Sequence, residues 1–173
     1  YNENVYRVSP KTHYFKEIMQ VGLECLGAID DPCISEVLLL AAESLTLLGD
    51  RAMLDVSNLD ILSRLIASCR VSPETGERIT KCISEKNAHG MEQVCRRADI
   101  GPAKAELLKL LISTYGRPED VIPKLEDAFI GRDSTFTDEE KDGFAESFNL
   151  MKTVVKAFEG SDLEDILNID FSV

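Results

Sequence analysis

Two polar side chains interrupt the apolar run IMQVGLECL: Gln20 and Glu24, with Gly22 between them. An amide oxygen and a carboxylate both accept hydrogen bonds, and a carboxylate also pairs with an ammonium. The two together suit a small polar ligand. If the run is a strand, successive side chains point to opposite faces, so Ile18, Gln20, Gly22, Glu24 and Leu26 share one face. Met19, Val21, Leu23 and Cys25 then share the other, which the pattern assigns to the core. Gln20 and Glu24 would lie roughly 13 Å apart along their strand, with a glycine between them where a group can approach the backbone closely.

The elements that must position this pair follow from the rest of the pattern. Residues 6–27 have the layout of two antiparallel strands joined by a basic, aromatic-bearing loop, and Asp30-Asp31-Pro32 breaks the chain after them. Apolar residues Ile34, Val37, Leu38, Ala41, Ala42, Leu45 and Leu48 at helical spacing predict a helix that Gly49 stops. A short strand is expected over 52–56, then a helix capped by Ser57 with Asp60 at its third position and Ile61, Leu62, Leu65, Ile66 and Cys69 as its stripe. Beyond Arg70 four short helices are expected, over 73–86, 88–98, 102–115 and 118–130, punctuated by Gly101-Pro102 and Gly116-Arg117-Pro118. Residues 131–136 read as an exposed loop. Thr137 caps a long helix whose stripe is Phe144, Phe148, Met151, Val155 and Phe158, and whose acidic first turns, Asp138, Glu139, Glu140 and Asp142, suit the helix dipole. Leu167, Ile169, Phe171 and Val173 alternating with Asn168, Asp170 and Ser172 predict a closing strand, and a chain that stops there is expected to continue.

The fold class is therefore α+β: a partial antiparallel sheet with packed helices, plus a small all-helical insertion. Residues 1–70 form part of the core, 71–131 the helical insertion, and 132–173 the helix and strand that return to the core. Of 173 residues, 44% are hydrophobic and 29% charged, an ordinary globular balance. The net charge of −12 argues against nucleic acid, whose binding draws on Lys and Arg. No apolar run is long enough to span a bilayer and no signal pattern opens the chain, so a cytoplasmic location is expected. The cysteines Cys25, Cys33, Cys69, Cys82 and Cys95 read as buried reduced thiols. With only His13 and His89 beside them, no metal site is expected. Phosphate-loop, dinucleotide and nucleophile-elbow motifs are absent, and no cofactor is expected.

The order Tyr6-Arg7, then a loop, then Glu17-x-x-Gln20-x-Gly22-x-Glu24-x-x-Gly27 resembles the second signature motif of class II aminoacyl-tRNA synthetases in its histidine-specific form. The resemblance runs on through Ser35-Glu36-Val37 and through Leu54-Asp55-Val56-Ser57-Asn58. In the helical stretch, Glu85-Lys86-Asn87 and the run from Leu111-Ile112-Ser113-Thr114-Tyr115 to Gly116-Arg117-Pro118-Glu119 look like the histidyl-tRNA synthetase-like regulatory subunits of ATP phosphoribosyltransferase. Only the hairpin motif is specific; the helical likeness is one of length and punctuation.

The resemblance implies that Gln20 and Glu24 hold free histidine and that Arg7 meets phosphate or carboxylate oxygens, a task its planar guanidinium fork suits. It also implies a catalytic ATP phosphoribosyltransferase subunit as partner, in a homodimer or hetero-oligomer, with regulation of histidine biosynthesis as the role. Departures from the motif are equally informative. Arg7 is followed by Val8-Ser9, so the carboxylate that would contact adenine is missing. The loop from Pro10 to Lys16 is shorter and carries lysines, and a third motif would lie beyond Val173. Without these groups little remains to position ATP or stabilise charge at phosphorus, so no catalytic residue is assigned. The alternative is histidyl-tRNA synthetase itself, an ATP-dependent ligase, as a fragment or diverged form; a third reading is an interaction domain with no ligand.

Overall fold

Short polar side chains start the helices. In the computed structural model, which describes residues 1–9, 13–49 and 52–172, Asp30 accepts from the Cys33 N–H at 3.0 Å and begins α1 (Asp31–Thr46). Asn58, rather than Ser57, caps α2 (Leu59–Ser68), its side chain accepting from the Asp60 N–H at 2.9 Å. Ser72 caps α3 (Pro73–Ser84) and Asn87 caps α4 (Ala88–Arg97). Proline at the first turn, where its missing N–H is not needed, opens α5 (Pro102–Ser113) and α6 (Pro118–Ile130). Thr137 and Glu140 form a reciprocal capping box at the start of α7 (Asp138–Phe158). Gly160, at φ 71°, ends that helix in the left-handed conformation glycine adopts freely.

Among the described residues five strands make two separate sheets. β1 (Asn2–Val8) pairs antiparallel with β2 (Phe15–Val21), Glu3 opposite Gln20 and Arg7 opposite Lys16. Residues Pro10, Lys11 and Thr12 of the predicted loop lie outside the described residues. The second sheet has β5 (Leu167–Asp170) at its centre, parallel to β3 (Leu54–Val56) and antiparallel to the two-residue β4 (Tyr115–Gly116). A central strand covered on both sides has no solvent face. All four residues of β5 are accordingly buried, the polar Asn168 and Asp170 included. The strand stops at Asp170 and Phe171 and Ser172 form a turn, which corrects the expected continuation; Val173 lies outside the described residues.

One hydrophobic core runs from α2 through α3–α6 to α7 and β5, including Leu65, Ile79, Ile83, Leu108, Leu125 and Phe148. Part of it is an aromatic cluster: Phe129 meets Phe144 edge-on at 4.9 Å between ring centroids, and Phe136 meets Phe144 at 4.7 Å. Arg132, Asp133 and Thr135 are exposed as expected of the 131–136 loop, but Phe136 is 6% exposed, which corrects the expectation at that residue. The turn there is tied down by Ser134, whose hydroxyl donates to the Phe129 carbonyl. A smaller cluster, Ala42, Val154, Phe158 and Leu167, docks α1 on α7 and β5. Leu48 of the predicted stripe lies past the end of α1 and is exposed.

Candidate functional site

Strand register places the three predicted site residues. Directly opposed residues of an antiparallel pair share a face, so Glu3, Val5 and Arg7 of β1 lie on one side with Lys16, Ile18 and Gln20 of β2. Arg7 and Gln20 therefore face the same way, at opposite ends of the hairpin. Arg7 is exposed, and no ion pair among the described residues engages it. Gln20 is half-buried and donates its amide N–H to the Tyr1 hydroxyl at 2.6 Å.

β2 ends at Val21, so strand alternation does not extend to Glu24, which lies exposed in the irregular stretch that follows. Gly22 donates to the Tyr1 carbonyl at 3.0 Å and accepts from the Tyr1 nitrogen at 2.8 Å. A side chain at position 22 would collide with the Tyr1 ring, whose hydroxyl would sit 2.6 Å from the added carbon. The glycine thus admits an aromatic ring against the backbone with its polar atom on Gln20.

The other face of the hairpin corrects a second expectation. Met19 and Val21, assigned to the core by their pattern, are each 72% exposed, and Leu23 and Cys25 are exposed as well. Tyr6, Val8 and Phe15 add to the same open apolar face, across which Asn4 and Tyr6 both donate to the Glu17 carboxylate. Alternation reports which side chains share a face; it does not report what covers that face.

A second polar assembly on the central sheet was not legible in sequence. Asp170, 4% exposed, accepts from the Lys86 ammonium at 2.7 Å and from the Ser172 N–H at 2.8 Å. Lys86 also sits over the Tyr115 ring, 5.2 Å from its centroid, and the Tyr115 hydroxyl accepts from Asn168 at 2.9 Å. Burial pushes the Asp170 carboxyl up, but the hydrogen bonds from Lys86 and Ser172 and the Lys86 charge outweigh it and hold the group below its ordinary value. The hydrogen bond to Asp170 raises Lys86 against its own desolvation, helped by the charges of Asp170 and Asp55. Asp55, beside Asn168 in the sheet, has one buried carboxylate oxygen without a hydrogen-bond partner.

Lys86 occupies an unusual backbone position. With Lys86 N–H on the Ile83 carbonyl and Asn87 N–H on the Cys82 carbonyl, α3 ends in the paired bonds of a Schellman motif, and Lys86 takes the left-handed place at φ 50° where glycine is the usual choice. Its side chain is thereby aimed at β5. In sequence this residue reads only as the last residue of the helix expected over 73–86.

A comparable knot joins α2 to α7. One oxygen of Asp60 accepts from both Arg64 and Ser147, each at 2.6 Å, and Asn58 donates to the Ser147 carbonyl at 3.0 Å. Against the upward push of partial burial, these bonds lower the Asp60 carboxyl. Among the described residues no group of three or more His, Cys, Asp or Glu side chains is placed to hold a metal ion.

A hairpin, a helix, a strand and a helix, then a helical run and a returning helix and strand, make the α+β arrangement of the class II synthetase type. The chain belongs to the histidyl-tRNA synthetase family, whose model matches residues 1–159. It is similar to proteins named ATP phosphoribosyltransferase regulatory subunit. It shares 27% identity over 62% of its length with that of Alkaliphilus metalliredigens, and 22% over its whole length with that of a Thermoanaerobacter species. With that of Halothermothrix orenii the identity is 28% over 58% of the chain. These matches cover 27%, 43% and 24% of the respective relatives, so the chain spans less than half of their length. No solved structure matches it.

Proposed function

We propose that this chain is the sensing part of a non-catalytic regulatory subunit of ATP phosphoribosyltransferase. It binds free histidine between Gln20 and Glu24, and Arg7 contacts a phosphate or carboxylate. The observation that carries this reading is the floor at Gly22, where an aromatic ring lies against the bare backbone and sets a polar atom on the Gln20 side chain. An imidazole is likewise a flat ring and supplies an N–H that the Gln20 oxygen accepts, with the amide turned over; the ligand's ammonium goes to Glu24. The printed names of the relatives support the regulatory assignment, and Ser9, in place of the adenine-contacting carboxylate, supports sensing over adenylate formation.

In this reading, residues 1–70 and 132–173 are one core and residues 71–131 are inserted into it. The protein works in the cytoplasm with a catalytic ATP phosphoribosyltransferase subunit, in a homodimer or hetero-oligomer. Among the described residues no helix is long and apolar enough to cross a membrane. Regulation requires that histidine bind two states of the assembly unequally, because a ligand shifts an equilibrium only by its differential affinity.

The test is catalytic-subunit activity with and without the protein across a histidine titration, beside calorimetry of histidine binding. Gln20→Ala and Glu24→Ala should each weaken histidine binding about tenfold or more, the loss expected when one charged or buried hydrogen bond is removed. Unchanged binding in both variants would remove the site assignment, and histidine-dependent pyrophosphate exchange by the protein would favour the ligase reading instead.

A further inference from the structure

Two cysteines eight positions apart in the chain meet where the irregular stretch after β2 reaches the first turn of α1. The Cys25 and Cys33 sulfurs are 3.1 Å apart, and neither is in a disulfide. Cys25 is exposed; Cys33 is half-buried at the third position of α1, with its N–H held by Asp30. Together they line one rim of an open groove of about 470 Å³, floored by Ile29, Val37, Leu38 and Asp55.

We propose that Cys25 and Cys33 form a reversible dithiol–disulfide site that responds to peroxides. Three observations carry it. The sulfurs already face each other and must approach by only about 1 Å to reach the disulfide bond length of ~2.04 Å. The segment 22–30 has no helix or strand that would resist that movement, since Gly27 and Ala28 form a bend and the rest is irregular. The other three thiols are poor competitors: Cys82 and Cys95 are buried, Cys69 is half-buried, and burial pushes all three up, away from the reactive thiolate.

The chemistry assigns different roles to the two sulfurs. As a thiolate, exposed Cys25 attacks one peroxide oxygen; an S–O bond forms, the O–O bond breaks, and the other oxygen leaves as water after taking up a proton. Cys25 is then a sulfenic acid, oxidised by two electrons that the peroxide has accepted. The Cys33 thiol, held up by its hydrogen bond with Cys25, by burial and by the charges of Cys25, Asp30 and Glu36, stays protonated and does not compete for the peroxide. It resolves the intermediate: its sulfur attacks Cys25, an S–S bond forms, the S–O bond breaks, and hydroxide leaves with the Cys33 proton as a second water. The product ties the end of the hairpin to the start of α1 and narrows the groove at that rim.

The chain, in native buffer, is treated with hydrogen peroxide, its free thiols are alkylated, and it is digested with trypsin. No Lys or Arg lies between Lys16 and Arg51, so one fragment, 17–51, carries both cysteines. That fragment should lose both alkyl groups and become about 2 Da lighter than the reduced peptide, and dithiothreitol should restore both thiols. Cleavage at Asp30 or Asp31 should leave its halves joined. In Cys33→Ser, Cys25 should stop as a sulfenic acid that dimedone traps. Oxidation of Cys25 to sulfinic acid while Cys33 stays alkylatable, or a Cys25-linked dimer as the main product, would overturn the proposal. Cys33→Ser also separates an unreactive Cys25 from a misplaced Cys33, because only the second outcome yields trapped sulfenic acid in both proteins.

Discussion

At Lys86 the backbone and the side chain make opposing demands. A left-handed residue other than glycine costs about 1 kcal/mol, and here that cost is offset by an ammonium delivered to the buried Asp170 carboxylate. Lys86→Gly should therefore be more stable than Lys86→Ala by about 1 kcal/mol, since both lose the ion pair and only the first relieves the backbone. Equal denaturation midpoints for the two would show that the strain is absent. Asp170→Asn should destabilise by roughly 1–2 kcal/mol near neutral pH, a moderate value because Lys86 remains partly in water. Because the Asp170 carboxyl is lowered in the folded state, its contribution is present above the unfolded value near 3.9 and fades as pH falls through the lower folded one. The gap between wild type and Asp170→Asn should thus close in acid. Lys86, being raised, keeps its contribution until pH climbs past its folded value in the alkaline range. A gap that persists at the acid end of the stability curve would mean the variant acts by packing rather than charge.

At the level of elements, the hairpin and the aromatic cluster respond oppositely to substitution. Met19 projects from the open face of β2, so Met19→Lys should change stability by no more than about 0.5 kcal/mol, whereas a core methionine would lose several times that. Phe136, packed on Phe129 and Phe144, should lose about 3–5 kcal/mol on truncation to alanine. Urea midpoints of the two variants check both statements together. The helices were legible because caps and prolines act within a few residues of themselves: Ser72, Pro73, Asn87, Thr137 and Gly160 mark ends that need no distant partner. The two-residue β4 left no such mark, because Tyr115 and Gly116 become a strand only where β5 offers them a ladder. Phe136 was misplaced for a related reason, since its flanking polar residues read as loop and its burial depends on α6 and α7.

For the whole molecule, the same contrast should appear as a gradient of local stability. A lone two-stranded hairpin is marginal in water, and β1–β2 pair chiefly with each other, while α2, α7 and β5 share the main core. Backbone amides of residues 2–8 and 15–21 should exchange with solvent well before those of α7 and β5; protection of the hairpin equal to that of β5 would show that it is docked. Of the candidate site, Gln20, Glu24 and Arg7 were legible as residue types that suit a polar ligand, and the family could be recognised from their spacing. Their arrangement was not, because β2 stops one residue past Gln20 and strand alternation therefore says nothing of Glu24. The amino-acid sequence by itself determined the number and order of the helices, the α+β class and the composition of the hairpin, all of which rest on local chemistry and periodicity. Only the tertiary structure decided that Met19 and Val21 lie open, that Asn168 and Asp170 are buried, and that Lys86 reaches Asp170 and Cys25 reaches Cys33. Those outcomes depend on which surfaces meet, and the free energy of burial belongs to pairs of distant segments that no local pattern records.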